Sequence, residues 1–167
     1  GVITFGLITL MLAIFLIQGL FVLSELRESY LDQHLSEYYN RGIFNLVIRY
    51  VSFVFVALTL ITSYKYIRLE FMQRDFALTF DILLHVTIIW VLSSELIHWL
   101  DIAAFTQSYK LGLSILWGSY ALILIVLGIW KRKKHLRIGA ISLFGVTLIK
   151  LFFYDISHLD TIAKTIV

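Results

Sequence analysis

Five apolar runs dominate this sequence, at residues 1–23, 43–63, 76–100, 110–130 and 136–154. An α-helix rises about 1.5 Å per residue, so about 20 residues cross the hydrocarbon core of a bilayer. Each run is close to that length. A water-soluble domain does not need so much apolar sequence. Here 60% of the 167 residues are hydrophobic and 15% charged, against about a quarter charged in an ordinary soluble domain. The mean hydropathy is +0.89. These values exclude a disordered chain, a nucleic-acid-binding module and an ordinary soluble enzyme.

In lipid no water satisfies the backbone, so a spanning segment is a helix or part of a closed barrel. The runs lack strict alternation and are about twice as long as a barrel strand. The sequence therefore predicts an all-α fold, a polytopic transmembrane helical bundle forming one domain over residues 1–167. It has five spans, a partial sixth helix beginning near Thr161, and a short interfacial helix in the first outer loop. The chain starts at Gly1 in apolar sequence and stops at Val167 as a new apolar run begins, which reads as a fragment of a longer chain. No cleavable signal separates from the first span.

With no cysteine, disulfides, thiol catalysis and cysteine-based zinc sites are excluded. There is no proline either, and no span carries a mid-membrane Gly/Pro break of the kind that marks the discontinuous helices of many transporters.

Basic residues orient the chain. Lys65, Arg68 and Arg74 follow the second span, and Lys131, Arg132, Lys133, Lys134 and Arg137 follow the fourth. The other two loops carry Glu25, Glu28, Asp32, Glu37 and Asp101 against Arg27, Arg41 and Lys110. This alternation puts residue 1 on the cytoplasmic side, with Trp99 and Trp130 at opposite interfaces. The basic loop after span four is a topology anchor facing anionic lipid headgroups. In the first outer loop Leu26, Tyr30, Leu31, Leu35 and Tyr38 recur at helical spacing. Ser24 is placed to cap a helix lying on the membrane surface. The alternative is a continuation of span one into water. Spans four and five are expected to form a tight antiparallel hairpin through Ser114 and Gly118 on one side and Gly139, Ser142 and Gly145 on the other.

Ionisable residues inside a span are costly and carry the functional expectations. Asp81 and His85 share a face of span three, and Glu95 returns to nearly the same side, with His98 just beyond. This stripe reads either as a proton path or ligand groove, or as interhelical hydrogen bonds that lock the bundle. Arg49, with Asn45 one turn above it, either binds an anion, snorkels to the headgroups or pairs with Glu95. Lys150 snorkels or pairs with Glu95. Two carboxylate-x-x-His pairs, Glu95/His98 and Asp155/His158, recur at the outer face, where residues i and i+3 project together. They are the candidate metal ligands, with Asp101, Asp160 and His34 as supplements, although the pattern falls short of a di-iron set. Ser93, Ser94 and His98 lack a nucleophile elbow, and no phosphate loop or dinucleotide fingerprint occurs. No cofactor is expected.

Several stretches resemble a known family. They are Ser94-Glu95-Leu96, the run Lys110-Leu-Gly-Leu-Ser-Ile-Leu-Trp-Gly-Ser-Tyr120, and Leu136-Arg-Ile-Gly-Ala through Leu148-Ile-Lys150-Leu-Phe-Phe-Tyr-Asp155. From about Ser93 onward the chain resembles the C-terminal part of a family of long bacterial polytopic membrane proteins, described as predicted membrane proteins with a domain of unknown function. The resemblance implies a longer parent with more spans and a further helix after Val167. It carries no activity, and it draws attention to Glu95, Lys150 and Asp155.

The expected function is a transporter-like or assembly module. Its polar cluster comprises Arg49, Asp81, His85, Glu95, His98, Lys150, Asp155 and His158. Its partners are membrane lipids and either the remaining helices of the parent or partner subunits, with no nucleic acid. The rival is a membrane-embedded enzyme or metal-binding protein acting on an envelope lipid or glycan at the external face.

Overall fold

A computed structural model describes residues 1–31, 43–69, 76–103 and 109–155. Among these residues five helices are long and apolar enough to cross a membrane: α1 Val2–Leu31, α2 Phe44–Tyr66, α3 Ala77–Ile102, α4 Leu111–Trp130 and α5 Lys134–Phe153. The α4 helix begins two residues earlier, at Tyr109, and α5 closes on a π-helical turn, Leu151–Asp155. Only 11% to 28% of each spanning segment is buried inside the protein. Large apolar side chains point outward instead, Ile3 and Trp130 each 79% exposed. Hydrocarbon is the solvent that such a surface requires. The expected all-α membrane fold is present.

Most span hydroxyls are satisfied within their own helix. Thr9, Ser52, Thr87, Ser93 and Thr147 each donate to the carbonyl four residues back, at 2.7–3.0 Å. Such bonds let a polar side chain sit in lipid without a second helix.

The chain divides into two compact units, Gly1–Ser94 and Glu95–Val167. In the first unit Phe5 and Leu12 of α1 pack with Val56 and Leu60 of α2 and Phe80 of α3. Higher on α1, Leu16, Leu20 and Leu23 meet Ile48, Phe53 and Val91. Ascending α1 therefore means descending α2 and ascending α3, as a zigzag demands. Ring contacts fasten the lower end, Phe5 to Phe76 with centroids 5.1 Å apart and Tyr64 to Phe80 at 5.5 Å.

One boundary differs from expectation. The first helix does not stop at residue 23. Ser24 caps nothing; its hydroxyl returns to the Leu20 carbonyl at 3.0 Å. The buried stripe Leu16, Leu20, Leu23 and Arg27 continues at intervals of four, three and four residues, and no Gly or Pro interrupts residues 20–31. Residues 24–31 therefore extend span one as the same helix, and Arg27 is a buried helical residue rather than a loop charge. The rest of the expected interfacial helix, residues 32–40, and the sixth helix lie outside the described residues.

In the second unit α4 and α5 form the expected hairpin. The turn is short. Arg132 adopts a left-handed conformation, φ 52°. Its N–H reaches the Ile129 carbonyl at 3.2 Å, and the Lys133 N–H reaches Gly128 at 3.1 Å. This is a Schellman closure with arginine where glycine is usual. The basic loop thus shrinks to Lys131, Arg132 and Lys133, while Lys134 and Arg137 stand in the first turns of α5.

The glycines expected at the hairpin interface do not lie there. A Cβ added at Gly118, Gly139 or Gly145 would meet open space, and Ser142 is exposed. The buried faces are Ser114, Ala121, Leu124 and Gly128 on α4, and Leu136, Ala140 and Thr147 on α5. These recur at three, four and seven residues, the seam spacing of antiparallel helices crossing at a shallow angle. At Gly128 an added Cβ would come within 2.7 Å of Arg137 Cγ and 3.0 Å of its backbone nitrogen. The two helices are in tight contact there.

Candidate functional site

The polar chemistry of the first unit gathers where α1 ends, α2 begins and α3 runs past Val91. Arg49 sits on α2, one turn after Asn45, and is only 1% exposed. Its Nη2 donates to Ser94 Oγ of α3 at 2.7 Å. Its guanidinium carbon lies 5.3 Å from the centre of the Phe53 ring, a favourable cation–π distance. Asn45 Nδ2 reaches Ser29 Oγ of α1 at 3.4 Å, and Ser29 itself donates to the Leu26 carbonyl at 2.7 Å. Arg27, on the same stretch of α1, is 4% exposed. Two buried guanidiniums, a carboxamide and two serine hydroxyls thus occupy one end of a three-helix unit.

Arg49 is therefore placed for hydrogen bonding across helices, and snorkelling to the headgroups does not describe it. A snorkelling arginine keeps its head in a polar, accessible layer, whereas this one is sealed.

The second unit repeats the device. Lys150, in the last turn of α5, donates from Nζ to Ser114 Oγ at 2.8 Å. Ser114 lies near the start of α4 and is buried. His98 of α3 is 2% exposed and stands edge-on to Trp99, centroids 5.8 Å apart. The start of α4 packs close to the end of α3, where a Cβ at Gly112 would lie 3.3 Å from Leu96.

The other expected site residues are placed as follows. Asp81 and His85 are half-buried, one turn apart on α3, and both are engaged with partners. Glu95 is half-buried and also engaged. Asp155 ends the described backbone and its side chain lies outside the described residues, as do His158, Asp160 and His34. The second carboxylate-x-x-His pair therefore falls outside the described residues. Among those described, no three His, Cys, Asp or Glu side chains gather as a metal site would require. Of the two serines that the sequence places near His98 without a nucleophile elbow, Ser93 donates to the Ile89 carbonyl and Ser94 accepts from Arg49.

Ser29 was not singled out in the sequence, and Ser94 and Ser114 were named there for other reasons, Ser114 for the hairpin seam where it is indeed buried, not as hydrogen-bond partners of the polar residues on neighbouring spans. Hydroxyls are among the partners of both intramembrane cations, beside the carboxylates and headgroups expected from the sequence. A signal existed. Each is a serine near a span end, about as far from that end as the residue it meets on the neighbouring antiparallel span.

Compared with known proteins, residues 2–167 match the model of one family, described as a predicted membrane protein (DUF2339). No curated protein and no solved structure matches the chain.

Proposed function

Because the chain belongs to the DUF2339 family of predicted membrane proteins, we propose that it is a non-catalytic assembly module of a bacterial inner membrane. Residue 1 faces the cytoplasm in this reading, and the polar end containing Arg49 faces outward. The function of the buried polar side chains is to hold helices in register. The observation that carries the reading is the Arg49–Ser94 bond, a sealed cation joined to a neighbouring helix at 2.7 Å. In lipid, apolar contact between helices brings little net driving force, so interhelical hydrogen bonds and close packing decide which faces meet. The Lys150–Ser114 bond supports the same role in the second unit.

The orientation is supported by Lys131, Arg132, Lys134 and Arg137, all exposed around the α4–α5 turn. Lys65 and Arg68 follow suit at the end of α2, where Arg68 lies over the Tyr64 ring at 4.3 Å. Basic residues of this kind are retained on the cytoplasmic side.

Single cysteines test both parts, since the natural chain has none. With an impermeant thiol reagent on intact cells, Glu28→Cys reacts and Lys133→Cys does not; the reverse pattern refutes the orientation. Asp81→Cys and His85→Cys stay unreactive from both sides of the membrane in an assembly module. Reaction at both would reveal a continuous aqueous path and favour a transporter.

A further inference from the structure

Positive charge is concentrated at the α4–α5 turn. Lys131, Arg132, Lys133, Lys134 and Arg137 follow one another closely there, from a total of 14 Lys and Arg in the chain. All but Lys133 are exposed. No Asp or Glu occurs between Asp101 and Asp155, and the first turn of α5 has no acidic residue. The hairpin therefore carries no carboxylate near its turn. Asp155 closes the far end of α5, roughly 30 Å away along the helix. Among the described residues no hydrogen bond or ion pair engages the side chains of Lys131, Arg132, Lys134 and Arg137.

The backbone supplies a second observation. Arg132 adopts φ 52°, a left-handed conformation that is strained for a residue with a β-carbon and that glycine adopts freely. Glycine would close the same turn with less strain. The Arg132 side chain is exposed, so packing inside the protein does not account for it. A strained residue that the fold does not require points to a role for its side chain. Beside it the surface is apolar. Trp130 is 79% exposed, Ile129 61% and Ile138 55%. A tryptophan at the end of a span marks the boundary between hydrocarbon and headgroups. Arg132 follows it by two residues and stands at the level of the headgroups. Arg137 approaches from α5 with its stem against α4 at Gly128, and it shares a face of α5 with Lys134, three residues before it.

We propose that this turn holds the phosphate of an anionic phospholipid between Arg132, Lys134 and Arg137, with the acyl chains lying on the exposed isoleucines beside Trp130. The chemistry selects that occupant. Cations with no carboxylate near them draw their counter-charge from outside the chain, and the layer in which they stand is built of phosphate esters. Guanidinium groups match phosphate oxygens with paired N–H donors. An acidic protein segment matches the charge and leaves the apolar surface around Trp130 unaccounted for; a phospholipid covers both. The proposal depends neither on the sidedness of the chain nor on the locking role of Arg49.

The test uses the full chain reconstituted in phosphatidylcholine vesicles. Ile138→Cys carries a fluorophore, the natural chain having no cysteine. Quenching is measured with spin-labelled phosphatidylglycerol and with spin-labelled phosphatidylcholine at the same low mole fraction. At low salt the anionic lipid quenches more, by about threefold. The preference vanishes near 1 M salt, where the screening length is about 3 Å. Arg132→Gly keeps the turn and lowers the preference about twofold or more, and Arg132→Lys lowers it less. The triple variant Arg132→Gly, Lys134→Gln, Arg137→Gln abolishes it. A fluorophore at Ile115→Cys, toward the other end of α4, shows no preference. Equal quenching by the two lipids overturns the proposal, as does a preference that survives near 1 M salt or that Arg132→Gly leaves unchanged. The same preference at Ile115→Cys assigns it to the net charge of the whole chain and overturns the site too.

Discussion

Removing the Ser94 hydroxyl tests the reading of Arg49 most directly. Ser94→Ala deletes one acceptor at 2.7 Å from a guanidinium that is 1% exposed. A hydrogen bond to a charged group contributes about 1.5–3 kcal/mol in soluble proteins. In membrane proteins interhelical bonds average about 0.6 and reach about 1.7 kcal/mol, because the unfolded chain in lipid also finds partners. The burial of Arg49 puts Ser94 toward the upper end of the second range, so a loss of about 1–1.5 kcal/mol is expected. Arg49→Met keeps a flexible apolar chain against Phe53 and removes the charge. On that background Ser94→Ala should cost almost nothing, since no cation remains to be served. The assay is reversible unfolding in bicelles by steric trapping, run as a double-mutant cycle on the four chains. The expected coupling is about 1 kcal/mol, well above the roughly 0.3–0.5 kcal/mol scatter of independent sites. Additive single effects would refute the claim that this bond holds α2 against α3.

The same cycle on Lys150→Met and Ser114→Ala should give a smaller coupling, about 0.5 kcal/mol, since Lys150 is only half-buried. Gly128→Ala should destabilise the hairpin by about 1–3 kcal/mol in the same unfolding assay, because backbone stands in the path of the new methyl group. Gly139→Ala, facing open space, should instead be neutral or stabilising by up to about 1 kcal/mol from helix propensity alone. Arg132→Gly relieves the left-handed strain at φ 52° and should raise stability by about 1 kcal/mol, whereas Arg132→Val should lower it.

Span positions were legible because hydropathy is a local property. The expected runs 43–63, 76–100 and 110–130 correspond to Phe44–Tyr66, Ala77–Ile102 and Tyr109–Trp130. The extension of α1 to Leu31 was not, because Glu25, Arg27 and Glu28 end the apolar run without ending the helix. Charge marks where lipid gives way to a polar environment, and helix termination needs a different signal. The hairpin interface was misread for a related reason. Gly118, Gly139 and Gly145 are small, and smallness permits close approach without directing it. The face that meets the neighbour follows the seam spacing through Ala121, Gly128 and Ala140.

The placement of the polar links follows from the same physics. In each unit the cation–serine bond lies near one end of the helices it joins. Arg49 is one and a half turns into α2 and meets Ser94 late in α3; Lys150 ends the α-helical part of α5 and meets Ser114 early in α4. The opposite end of each unit is held differently, by the Phe5–Phe76 and Tyr64–Phe80 ring contacts in one and by the Gly128 turn in the other. A turn or a ring pair fixes where two helices start but leaves them free to rotate or slide further along. A directional bond at the far end removes that freedom, since rotating either helix by one residue, about 100°, would carry the serine out of reach. A single cation–serine bond is therefore enough to restrict rotation of the two helices it joins, and each further buried charge would add to the cost of placing charge in lipid.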